Sequence, residues 1–120
     1  MKKNGWKKKI REACEKAGTY RDYFDPVIET LACILEQRDE ATAVFKKSGG
    51  EILVEHTNKG GATNTEQNPV LRLINDLNRD ALTYWRELGL TPAGLKKLDQ
   101  SAMKQKKQSA LAEALKELGS

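Results

Sequence analysis

A mainly α fold is expected for this chain: an antiparallel hairpin of two long helices with a short strand or extended connector, assembled as an oligomer. Three observations lead there. Two segments carry apolar stripes that alternate by four and three residues, the spacing of packed helical pairs. Between them lies a stretch rich in glycine, asparagine and threonine that breaks helical periodicity. Apolar residues make up only 38% of the 120 residues, against roughly 45–50% in ordinary soluble domains. A core so thin favours further burial against other copies.

The elements follow in order. The first segment, WKKKIREACEKAG, places Trp6, Ile10, Ala13, Cys14 and Ala17 on one helical face, with Gly18 suited to the left-handed residue that ends a helix. Next, TYRDYFDPVIETLACILEQRDEATAVFKK allows two starts. Either a helix begins at Thr19, with Asp22 approximating a capping box, and bends at Pro26, or a short turn precedes a helix from Pro26. One long, slightly kinked helix ending near Lys47 is the preferred reading. Its stripe is Val27, Leu31, Ile34, Arg38, Ala41 and Phe45, widened by Ile28 and Leu35. Arg38 interrupts that stripe, either snorkelling from its edge or pairing with an acid across an interface.

Residues 48–68 form the connector, in which Ile52, Leu53 and Val54 favour a strand while no clean second strand follows. Asn68-Pro69 then gives the strongest helix start in the chain, a capping residue followed by proline at the first helical position. From it Val70, Ile74, Leu77, Ala81, Tyr84 and Leu88 keep the four-three alternation, thickened by Leu73 and Trp85. The helix ends in LGLTPAGL. Gly89 supplies a left-handed residue and Thr91-Pro92 restarts a helix at once, so local chemistry fixes a sharp corner. The final stretch is lysine-rich and then presents Leu111, Ala114, Leu115 and Leu118 on one face, as a separate helix or a tail ordered by a partner. Three regions result: a basic helix over 1–18, a hairpin core over 19–98, and a lysine-rich segment with an amphipathic helix over 99–120.

Charge is unevenly placed. The net +4 resolves into an excess of five positive charges over residues 1–16, four negative over 17–95, four positive over 96–107 and one negative over 108–120. An acidic middle between basic ends suggests a polyanionic partner, although such ends also serve solubility. The candidate DNA contacts are Lys2, Lys3, Lys7, Lys8, Lys9, Arg11, Lys16, Lys96 and Lys97. Each phosphate they neutralise would release a condensed counterion, giving affinity without sequence reading. Lysine predominates over arginine, the usual guanine reader, so direct base readout is weakly supported.

Catalysis is not expected. His56 is the one histidine and lies in the least regular part of the chain, with no neighbouring thiol or paired carboxylates. No phosphate-binding glycine loop occurs. Asp76 and Asp80 lie one turn apart beside Arg72 and Arg79, which suits a solvated ion-paired face better than a metal. No cofactor and no metal are expected. Cys14 and Cys33 suit helical, reduced thiols, and no apolar run is long enough to span a bilayer.

NPVLRLINDLNRDALTYWRELGLTPAGLKKL resembles the C-terminal helical region of the short, mainly helical small terminase subunits of tailed bacteriophages. YFDPVIETLACILEQRD resembles that family's first long helix, so the resemblance covers roughly residues 19–98. It implies a non-enzymatic, oligomeric factor that forms a ring, recognises viral double-stranded DNA and regulates the terminase large subunit, which carries the ATPase and the nuclease. It would act in the cytoplasm of the infected bacterial host, without a membrane. On this reading Val27, Leu31, Ile34, Leu35, Val70, Leu73, Ile74, Leu77, Ala81, Tyr84 and Leu88 build the hairpin and its contacts with neighbouring copies. By charge and periodicity the basic segments meet DNA, and Leu111, Leu115 and Leu118 form a dock for the large subunit. The alternative is a small helical regulator, antitoxin-like or anti-repressor, that works through the leucine face on a protein partner.

Overall fold

The computed structural model describes residues 1–118. Its elements are α1 (Lys3–Ala17), a single 3₁₀ turn (Asp22–Phe24), α2 (Asp25–Lys47), β1 (Leu53–Thr57), β2 (Thr63–Gln67), α3 (Pro69–Glu87) and α4 (Pro92–Leu118). The second of the two starts is therefore the one used. Thr19 does not open a helix: it is buried, and its hydroxyl reaches the Cys14 carbonyl at the end of α1. Asp22 instead opens the 3₁₀ turn, its carboxylate accepting from the Tyr23 amide at 2.8 Å. Proline then sits in the first turn of α2, where its missing N–H and fixed φ cost nothing.

Three helices end alike. Gly18, Gly49 and Gly89 all take positive φ. The residue after each donates back across the last turn: Thr19 to Cys14, Gly50 to Phe45 and Leu90 to Trp85, all at 2.9 Å. This closure satisfies carbonyls the helix end would otherwise leave unpaired and requires the left-handed residue that glycine adopts without strain.

One core holds α1, α2 and α3 together, built from Ile10, Cys14, Ile28, Leu31, Ala32, Leu35, Ala81 and Leu88. Helix α2 is its centre and packs against both α3 and α1. Its polar contacts identify the two faces. Arg38 reaches Asn78 of α3, whereas Glu36 and Asp39 face α1, accepting from the Lys3 amide at 2.6 Å and the Trp6 indole at 2.7 Å. The Val27-to-Phe45 stripe thus serves α3, and a second stripe through Ile28, Ala32 and Leu35 serves α1. Arg38 is engaged within the chain. It pairs with Asp39 at 3.1 Å, and its guanidinium lies 5.5 Å from the Trp6 ring centre.

With one exception, the stripe residues divide between buried and half-buried positions within the chain. Leu31, Leu35, Leu77, Ala81 and Leu88 are buried within the chain itself, and Val27, Ile34, Val70, Ile74 and Tyr84 are half-buried. Leu73 alone of the set is exposed, at 49%. The stripes thus contribute to this chain's own three-helix core.

The connector also differs from expectation. β1 and β2 pair antiparallel, with Leu53 opposite Gln67 and Thr57 opposite Thr63. The strand TNTEQ lacks apolar alternation because the hairpin stands off the core, leaving only Val54 and Gln67 half-buried. Its turn is local: the Asn58 carboxamide oxygen accepts from the amides of Gly60 and Ala62. Asn68 fastens the hairpin to α3. It accepts from Val70, donates its own amide to Ile52, and donates its side-chain amide to the Glu51 carbonyl. Replacing Asn68 with alanine should lower stability by about 1–3 kcal/mol, since a cap and the hydrogen bond to the Glu51 carbonyl go together. Urea titration measures this, and Asn68→Asp should recover the cap alone.

Residues 92–118 form one continuous helix, not a short helix followed by a separate one. Thr91 caps it by accepting from Gly94 at 3.1 Å, and no proline or glycine pair interrupts it afterwards. Only its first turns meet the rest of the chain. The molecule is accordingly elongated, 86 × 29 × 21 Å. No described helix is long and apolar enough to cross a membrane.

Candidate nucleic-acid interface

The basic residues of the first segment do not form one patch. A helix turns about 100° per residue, and α1 buries Ile10 and Cys14 against α2. Lys7, Lys8 and Arg11 then share one flank, where with Asn4 they line a shallow open recess. Lys2, Lys9 and Lys16 fall on the other flank, and the Lys9 ammonium lies 5.5 Å from the Trp6 ring centre. Glu12 lies between the two flanks, whereas Glu15 falls within the first, between Arg11 and Lys8.

Several of the nine candidates are already engaged. Lys3 is half-buried and its ammonium lies 3.4 Å from Glu29 of α2. Arg11 lies 3.7 Å from Glu15 and 4.8 Å from the Tyr20 ring centre. Both ion pairs are solvent-exposed and so weak that a phosphate can replace them. The stacking of Arg11 on Tyr20 leaves the guanidinium edge for bidentate contacts. Lys96 and Lys97 lie apart from α1's recess, on the exposed surface of α4, with Lys96 beside Pro92, Leu95 and Met103.

The anchor of this helix is Asp39. Burial pushes its carboxyl pKa up, but hydrogen bonds from the Met1 amino group, the Trp6 indole and Arg38 outweigh that, and the group stays below the usual carboxylate range. A depressed pKa contributes stability that is present above the unfolded-state value and lost as pH falls through the folded one. Acidification below about pH 4 should therefore loosen α1 from α2. Trp6 fluorescence followed from pH 7 downward reads this directly, and Asp39→Asn should flatten the profile.

His56 is exposed on β1 opposite Asn64. Asp76 is paired with Arg79 at 3.7 Å, and no cluster of three metal-ligating side chains occurs among the described residues. Cys14 and Cys33 are free thiols. Burial raises the pKa of Cys14, which keeps it protonated and unreactive.

Sequence reasoning missed Gly94. A Cβ placed there would lie 2.1 Å from the Arg86 carbonyl oxygen, so α4 crosses the end of α3 at a distance only glycine allows. It also missed the line Arg72, Arg79 and Arg86, seven residues apart on the outward face of α3. A seven-residue recurrence of one charged type was the available signal.

A three-helix core with an outlying basic flank, a small hairpin and a projecting helix makes this a mainly helical protein of extended shape. A family model described as phage terminase, small subunit, matches residues 3–105. The chain belongs to that family. No curated protein and no solved structure matches it. The match extends beyond the 19–98 region of resemblance, taking in α1 and the first half of α4.

Proposed function

We propose that this protein is the non-catalytic recognition subunit of a phage DNA-packaging machine. It would assemble as a homo-oligomer, in the form of a ring, bind viral double-stranded DNA in the host cytoplasm, and regulate the large subunit that carries the ATPase and nuclease. The observation that carries the DNA assignment is the shared flank of Lys7, Lys8 and Arg11, presented by a helix whose opposite side is locked into the core. A rigidly docked helix holds its cations at fixed spacing along a phosphate backbone, so less side-chain ordering is needed on binding.

The two flanks of α1 give a sharp test. Lys7→Ala/Lys8→Ala/Arg11→Ala should weaken binding to duplex DNA and reduce the slope of log K against log salt by about 0.9 per lost phosphate contact. Lys2→Ala/Lys9→Ala/Lys16→Ala should change both far less. Fluorescence anisotropy over a salt series measures them, and equal effects from the two triples would remove the flank assignment.

As part of the same reading, the leucines of α4 form a protein-docking face. Leu111, Leu115 and Leu118 are exposed and belong to no core within the chain.

A further inference from the structure

Helix α4 changes character along its length while keeping one face. Counting about 100° per residue, Lys97, Lys104, Lys107, Leu111, Leu115 and Leu118 lie along one side. The acids Asp99, Glu113 and Glu117 lie roughly opposite. This side points away from the chain's own bundle, because α4 meets the corner through Leu98, which sits against Gly89 and beside Thr19. The result is a face that is basic first and then apolar, with Leu118 exposed at 84%.

Helix α3 carries the complementary order. Leu73, Asp76, Asp80, Thr83 and Glu87 recur by three and four along one ridge flanking the core. At the end where Leu73 lies, Asn68 holds the β1 approach, so Ile52 and Leu53, both more than half exposed, add to the apolar ground. Asp76 shares Arg79, but Asp80 and Glu87 take part in no ion pair among the described residues. From Leu73 to Glu87 is fourteen residues, and from Leu111 back to Lys97 is also fourteen, each about 21 Å of helix.

Resting on the reading that the protein assembles with itself, we infer that the α4 face of one copy docks antiparallel on the α3 ridge of the next. Leu111 meets Leu73, Lys104 meets Asp80, and Lys97 meets Glu87, while Leu115 and Leu118 run on toward Ile52 and Leu53. Two α4 helices cannot use this face on each other as well: side by side in parallel they oppose lysine to lysine, and antiparallel they set lysine against leucine. The contact joins two different surfaces of identical chains, so it propagates head to tail and closes into a ring when the rotation permits. It also explains why the middle of the chain is acidic and this end is basic.

Charge reversal tests it on the full chain. Lys97→Glu/Lys104→Glu and, separately, Asp80→Lys/Glu87→Lys alter exposed positions, so both proteins should fold with the wild-type circular dichroism spectrum. Each should raise the concentration for half-assembly at least tenfold in sedimentation equilibrium. The quadruple variant, and an equimolar mixture of the two double variants, should restore assembly. In a second measurement, Leu73→Cys/Leu111→Cys should give a ladder of disulfide-linked chains on a non-reducing gel, which neither single variant forms. Assembly that is indifferent to both reversals, or a cross-link closed within one chain, would overturn this interface while leaving self-assembly standing. A wild-type protein that stays monomeric would overturn both.

Discussion

Leu77→Asp should abolish the cooperative fold. Leu77 is 7% exposed and sits on the buried face of α3 opposite α2, where a carboxylate would have neither water nor a cation. Desolvating an unpaired charge costs several kcal/mol even after it is neutralised by protonation. Lost packing of a buried leucine adds about 2–5 kcal/mol. Against a total stability of about 5–15 kcal/mol, the variant should show no cooperative thermal transition by circular dichroism. Leu82→Asp, five residues away and 47% exposed on the same helix, is the matched control. It should melt close to wild type, because its site is already solvated. A normal melt for Leu77→Asp would remove α3 from the core.

Gly94→Ala should also be strongly destabilising, and its direction is diagnostic. In an open helix this change stabilises by about 1 kcal/mol, since alanine restricts the unfolded chain and favours helix. Here the added methyl meets backbone: the Arg86 carbonyl oxygen at 2.1 Å, with the Arg86 Cα at 3.0 Å. Backbone cannot turn aside as a side chain can, so the helices must separate. Overpacking of this kind costs about 1–3 kcal/mol. The strain falls on the contact that holds α4, so α4 should swing from the corner, and small-angle scattering should report a changed maximum dimension. A gain in melting temperature would mean the crossing is looser than the structure has it. Gly5→Ala, whose Cβ meets only the flexible Met1 side chain, is the comparison that separates backbone crowding from helix propensity.

Much of the fold was legible because its signals are local. Asn68-Pro69, Gly18, Gly49 and LGLTP mark helix ends through capping and left-handed backbone, and these depend on a few neighbouring residues only. The second strand was not legible. TNTEQ has no apolar face because the hairpin has no core to face, and it is held instead by a five-residue Asn58 turn and by Asn68. The continuity of α4 was hidden for a related reason. Its apolar positions lie on one side near Leu95 and Leu98 and on nearly the opposite side from Leu111 onward, so a single-stripe reading breaks the helix where the stripe changes side.

The basic candidates show the same division. Composition located the cations of the first segment, but sequence alone treated them as one run. The docking of Trp6 and Ile10 sorts them, sending Lys7, Lys8 and Arg11 to one flank, Lys2, Lys9 and Lys16 to the other, and Lys3 to an acid on α2.

By itself the sequence determined where helices start and stop, that the chain is helical and basic at its ends, and that it resembles small terminase subunits, because caps, periodicity and charge are properties of short segments. Only the tertiary structure decided that α2 serves two neighbours, how much of the long stripes is buried inside one chain, and which surfaces stay uncovered. Those outcomes depend on how three helices divide a limited apolar area among themselves, and that division is made by packing between residues far apart in the chain.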